Sequence, residues 1–110
     1  MLASNTAFAD KWSDGDVKRE AAYLALHVID YGQTRTIALN PDRWHEQNSV
    51  LGLHPSISQV NRYFLLTGIA HVAVAHFLPD TWRRDFQNIT IGIEAGATLH
   101  NYQINIQATF

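Results

Sequence analysis

Residues 56–79, SISQVNRYFLLTGIAHVAVAHFLP, decide the fold. Ser56 and Gln59 have the S-x-x-Q spacing of a capping box, so a helix opens here. It continues through Phe64, Leu65, Leu66, Ile69, Val72 and Val74 and stops at Pro79, whose ring and missing N–H cannot extend it. With neutral histidines there is no formal charge from Tyr63 to Leu78. That window is shorter than the ~20 residues a bilayer crossing needs, although 58–78 would reach if Arg62 snorkels.

On the N-terminal side, residues 40–55 hold Pro41, Asp42, Asn48, Gly52 and Pro55, the density of turn formers expected of a structured connection. Before it, Val17 to Asn40 reads as a first helix, with Asp14 or Asp16 as its cap and Pro41 ending it. Its apolar residues lie around much of the cylinder, whereas Tyr23, His27, Asp30, Tyr31 and Thr34 recur three and four apart and share one face.

Beyond Pro79 a third helix starts at Asp80 or Thr81. Its first turns carry Trp82, Arg83, Arg84 and Asp85 in the manner of a membrane-interface belt. Gly92 and Gly96 then form a small-xxx-small surface for close helix association. After Leu99 the period changes: Tyr102, Ile104, Ile106, Ala108 and Phe110 alternate with polar residues, which predicts an edge strand or an extended tail packed on the helices. The expected fold is all-α, a three-helix bundle or hairpin arrangement with a short extended C-terminal strand.

The 110 residues suit one domain, 46% hydrophobic and only 16% charged against the roughly 25% of an average soluble domain. A net charge of -2 offers no field for a phosphate backbone, so nucleic acid is not an expected partner. The absence of cysteine excludes disulfides and thiolate metal sites. No G-x-S-x-G and no glycine-rich phosphate loop is present, which argues against the common hydrolases and NTPases. Ala7-Phe8-Ala9 has the A-x-A pattern of a signal-peptide cleavage site, so residues 1–16 read as a signal remnant or a disordered lead-in, and 17–110 as the single helical domain.

The residues able to carry chemistry fall on the predicted polar faces. Tyr23, His27, Asp30 and Thr34 would let a carboxylate orient an imidazole, as catalytic bases and metal ligands require. Thr67 and His71 share a face of the second helix, and His76 points away from them near the helix end. Thr90, Glu94, Thr98 and Asn101 form a face of the third helix. Packed together, Asp30, His27, His71 and Glu94 would make one polar centre suited to a proton or an oxygen- and nitrogen-ligated metal, although no H-E-x-x-H spacing supports a metal. A buried structural network is the simpler expectation for the same residues.

Asp30-Tyr31-Gly32-Gln33-Thr34, then Glu46-Gln47-Asn48-Ser49-Val50-Leu51-Gly52, His54-Pro55-Ser56 and Tyr63-Phe64, resemble small membrane or envelope proteins of proteobacteria and their phages. Those proteins carry a D-x-x-Q-T helix and an E-x-N-P-x-L-G-x-x-P-S loop; here Ser49 replaces the loop proline. The resemblance implies a helical, membrane-associated protein with Asp30, Gln33, Thr34, Glu46 and Asn48 as its matched polar positions. It implies no activity, cofactor or metal. Asp30 and Thr34 would receive the 46–52 loop, whose amides need partners near a membrane.

The function expected from these features is association in the cell membrane or periplasmic envelope: packing against membrane lipid, other copies or an envelope protein. A membrane-embedded metal- or proton-handling enzyme using His27, Asp30, His71 and Glu94 is one rival. A soluble helical interaction module is another, since mean hydropathy is only -0.15.

Overall fold

The computed structural model describes residues 11–110, and the A-x-A pattern at Ala7 to Ala9 lies outside them. The described residues form three helices: α1 (Asp14–Leu39), α2 (Ile57–Phe77) and α3 (Asp80–Gln103). The all-α bundle is as the sequence predicts. Among the described residues there is no strand.

The helix starts follow local chemistry. Ser13, not Asp14 or Asp16, caps α1: its side chain accepts from the Asp16 amide while the Asp16 side chain accepts from the Ser13 amide. This capping box starts the helix three residues before the predicted Val17. Ser56 and Gln59 cap α2 in the same reciprocal way, as their spacing predicts. At α3 the N-cap is Pro79, which makes no side-chain cap hydrogen bond.

α1 is the central element. Contacts pairing Asp16 with Arg83, His27 with Glu94 and Gln33 with Thr98 run it parallel to α3. Glu20 with His71 and Tyr31 with Asn61 run it antiparallel to α2. The seam positions on α1 are Asp16, Glu20, Tyr23, His27, Asp30, Thr34 and Ile37, a 4-3-4-3-4-3 progression. α3 answers with Arg83, Gln87, Thr90, Glu94, Thr98 and Asn101. This is the spacing that coiled coils fill with Leu and Ile, yet here most of the knobs are polar.

The exterior is correspondingly apolar. Leu65 is 64% exposed, Ile69 59%, Phe77 61%, Ile89 62% and Ile93 65%, while Asp16, Glu20, His27, Gln33, His71, Arg83 and Gln87 are buried. Arg83 thus corrects the predicted interface belt: it is fully buried, and only Trp82 and Arg84 of that group face outward with Asp85. No helix among the described residues is long and apolar enough to cross a membrane. The charge-free stretch of α2 is too short, and its inward face places His71 among Val60, Phe64 and Ala75.

The alternating C-terminal segment is not a strand. α3 continues to Gln103, and Asn105 at φ 70° turns the chain in the left-handed region. The Ile106 amide then donates to Asn101 O and the Asn105 amide to Tyr102 O, the two bonds of a Schellman ending. The extended tail packs on α1, with the Thr109 amide donating to Gly32 O, Arg35 Nε donating to Thr109 O, and Ile106 buried. Gly32 permits this approach, since a Cβ there would stand 2.6 Å from Phe110 Cζ and 2.7 Å from Ala108 Cβ.

Candidate functional site

The polar seam is a ladder of hydrogen-bonded levels along α1. At its first level Arg83 donates to Asp16 Oδ2 at 2.9 Å, to Ala75 O at 2.7 Å and to His76 O at 3.2 Å, so one guanidinium joins all three helices. Asp16 also takes Arg19. Burial opposes ionisation of Asp16, but the Ser13 amide and the two arginines outweigh it and hold its carboxyl below the ordinary range.

The next level centres on His71. Its Nε2 lies 2.7 Å from Thr90 Oγ1, and its Nδ1 lies 2.7 Å from Glu20 Oε2. Gln87 Nε2 donates to Glu20 Oε1 at 3.0 Å, and with His71 it overrides the effect of burial to lower the Glu20 pKa.

About two turns further along α1, a second histidine–glutamate pair joins α1 to α3. His27 Nε2 donates to Phe64 O at 3.0 Å, and Nδ1 faces Glu94 Oε2 at 3.0 Å. Burial alone would lower the His27 pKa, but Glu94 and the Phe64 carbonyl outweigh it and raise it. Tyr23 links the two levels: its ring stacks on His71 with centroids 3.5 Å apart, and its hydroxyl lies 3.4 Å from His27 Nδ1. Burial and the Glu94 charge push the Tyr23 hydroxyl pKa upward.

Asp30 completes this level. Burial, reinforced by the charges of Glu94 and Glu46, pushes its pKa up to about 8, against the single opposing hydrogen bond from Thr34. Asp30 is thus protonated at neutral pH. It does not orient His27, as the sequence suggests; Glu94 does that.

The predicted centre is resolved into two. His27, Asp30 and Glu94 come together, while His71 joins Glu20 on the other side of Tyr23. Gln33 and Asn101 meet at the far level, where Gln33 Nε2 donates to Thr98 O and Asn101 Nδ2 to Gln33 Oε1. The 46–52 loop does not hang its amides on Asp30 and Thr34. Glu46 Oε1 accepts from the Gln47 and Asn48 amides, Asn48 Oδ1 accepts from Val50, and Asn48 Nδ2 donates to Tyr63 Oη at 2.8 Å, which ties the loop to α2. Glu46 Oε2 is buried with no hydrogen-bond partner. Gly92 and Gly96 are exposed, and among the described residues no neighbour lies within 4 Å of where their Cβ atoms would stand.

Sequence reasoning missed Asp16, Glu20, Arg83 and Gln87. The signal was present, since continuing the 4-3 spacing of Tyr23, His27, Asp30 and Thr34 backwards lands on Glu20 and Asp16. Among the described residues no group of three His, Asp or Glu side chains is placed to hold a metal ion. The chain matches no protein-family model, no curated protein and no solved structure.

Proposed function

We propose that this chain is a small helical membrane- or envelope-associated protein that works by association, with copies of itself or with an envelope partner, through its apolar exterior. The observation that carries the reading is the inversion of the bundle. Charged and polar side chains outnumber apolar ones among the buried residues, while Val28, Leu65, Leu66, Ile69, Phe77, Ile89 and Ile93 are each more than half exposed. Val28, Leu65, Ile69 and Phe77 line one groove between α1 and α2, and exposed apolar surface of this kind marks contact with protein or lipid. The buried seam fixes which helix faces which, because a slipped register would leave Arg83, Glu20 or Glu94 without its partner.

A second reading, proton handling by His27, Glu94 and Asp30, is favoured by one arrangement: His27 Nδ1 lies 3.0 Å from Glu94 Oε2, and burial pushes the pKa of the neighbouring Asp30 up to about 8.

Fractionation of expressing cells followed by a carbonate wash tests association. The chain is expected in the washed membrane or in a sedimenting complex. Its recovery as a free monomer in the soluble fraction would overturn the reading.

A further inference from the structure

We propose that the 40–56 connection is a pH-operated latch, held on the bundle while Asp30 keeps its proton and driven off it when Asp30, Glu46 and Glu94 all carry charge. The latch goes beyond the association reading and operates whether or not the chain associates.

Three carboxyl groups from three different elements meet here: Asp30 from α1, Glu94 from α3 and Glu46 from the connection, and both glutamates act on Asp30 electrostatically. One imidazole answers them. His27 Nδ1 lies 3.0 Å from Glu94 Oε2, and among the described residues no lysine or arginine pairs with any of the three. Glu46 Oε1 accepts from the Gln47 and Asn48 amides, but Oε2 is buried without a hydrogen-bond partner. α1 adds Tyr23, α2 adds Tyr63, whose hydroxyl accepts from Asn48, and the 104–110 tail has no ionisable side chain. Charge on Asp30 would be a second negative charge without a cation in this cluster, and removing such a charge from water is costly. The carboxyl responds by holding its proton up to about pH 8.

The connection is the element that yields. None of residues 41–54 is buried, and among the described residues the bond from Asn48 Nδ2 to Tyr63 Oη is the one hydrogen bond that joins them to a helix. α1 and α3 are tied together at Asp16 and Arg83, at His27 and Glu94 and at Gln33 and Thr98, and the weakly held segment opens first. Its departure removes the Glu46 charge and admits water, both of which favour the ionised form of Asp30. The open state therefore binds fewer protons than the closed one, so opening grows as pH rises to about 8 and levels off above it. Opening also widens the space of about 250 Å³ between the connection and the end of α3, walled by Ile37, Trp44, His100, Asn101 and Ile106.

A spin label on Val50→Cys tests the latch in the full chain, since Val50 is 84% exposed and the sequence has no other cysteine. The ratio of mobile to immobile label should rise by about tenfold or more between pH ~6 and pH ~8 and then level off. Asp30→Asn, which cannot ionise, and Glu46→Gln, which removes the opposing charge, should each flatten the rise. Glu46→Gln should also lower the Asp30 pKa, read from the chemical shift of its carboxyl carbon. Circular dichroism follows the helices of each variant at every pH. A rise that persists in Asp30→Asn overturns the latch and passes the response to His27 or another group. Label that stays immobile at every pH while the helices are intact overturns it too, and so does a rise that coincides with loss of the helices, which is global unfolding. None of these outcomes touches the association reading, which the fractionation tests separately.

Discussion

Asp30 is the residue whose protonation most directly couples the seam to pH. An unfolded aspartate titrates near ~4, whereas Asp30 in the bundle titrates at about 8. Between those values the folded chain holds a proton that the unfolded chain has lost, so this group makes stability fall as pH rises. His27 acts in the same direction: its raised pKa gives a contribution that is complete below ~6.5 and disappears as pH climbs through the folded value. Glu20 and Asp16, both depressed, act oppositely; their contributions are present above ~4 and are lost as pH falls through the folded values. Stability should therefore peak at mildly acidic pH. Asp30→Asn removes the repulsion with Glu94 and keeps an oxygen for the Thr34 hydroxyl. It should stabilise the fold at pH 8 by on the order of 1–3 kcal/mol and flatten the decline above pH ~5, read from thermal melts across pH. If a proton-handling role operates here instead, the same variant abolishes that activity while the fold persists.

Among the elements, the tail depends most on a single atom's space. Gly32 lets residues 106–110 lie against α1, and a methyl there would collide with Ala108 and Phe110. Gly32→Ala should release the tail, raise hydrogen exchange at the Thr109 amide and destabilise the chain by about 1–2 kcal/mol; unchanged protection at Thr109 would show that the tail shifts without letting go. The tail also shows where sequence reasoning stopped. The alternation from Tyr102 to Phe110 is real, but period alone does not distinguish a strand from a helix end followed by an extended segment. What separates them is Asn105, a residue tolerant of positive φ, placed where a Schellman ending needs it. The α2 start was legible because Ser56 and Gln59 form a complete local signal. The α1 start was misplaced because Ser13 and Asp16 form the same signal with a shorter acid. Arg83 was misread because its company, Trp82 and Arg84, belongs to a surface, and only the tertiary approach of Asp16 draws it inside.

At the scale of the whole molecule the interior is unusually polar and many large apolar side chains are exposed. Polar groups in the seams contribute little net stability when paired, and their loss is costly because each leaves a buried partner unsatisfied. They define one register of three helices. Much of the hydrophobic contribution that a bundle ordinarily draws from its core is here left on the outside, where Leu65, Ile69, Phe77 and Ile93 are exposed among the described residues. Helix positions and the polar stripe of α1 were legible from spacing. Which helix supplied the partners was not, since the distances between His27 and Glu94 or Glu20 and His71 are set by the path of the 40–56 connection and the turn at Pro79. The central claim is that this exterior is an association surface, and the mass of the chain in detergent-free solution tests it most directly. Light scattering on a size-exclusion column should show a complex larger than the 12.4 kDa chain, or no recovery without membrane or detergent. A monodisperse 12.4 kDa monomer at high concentration would contradict it.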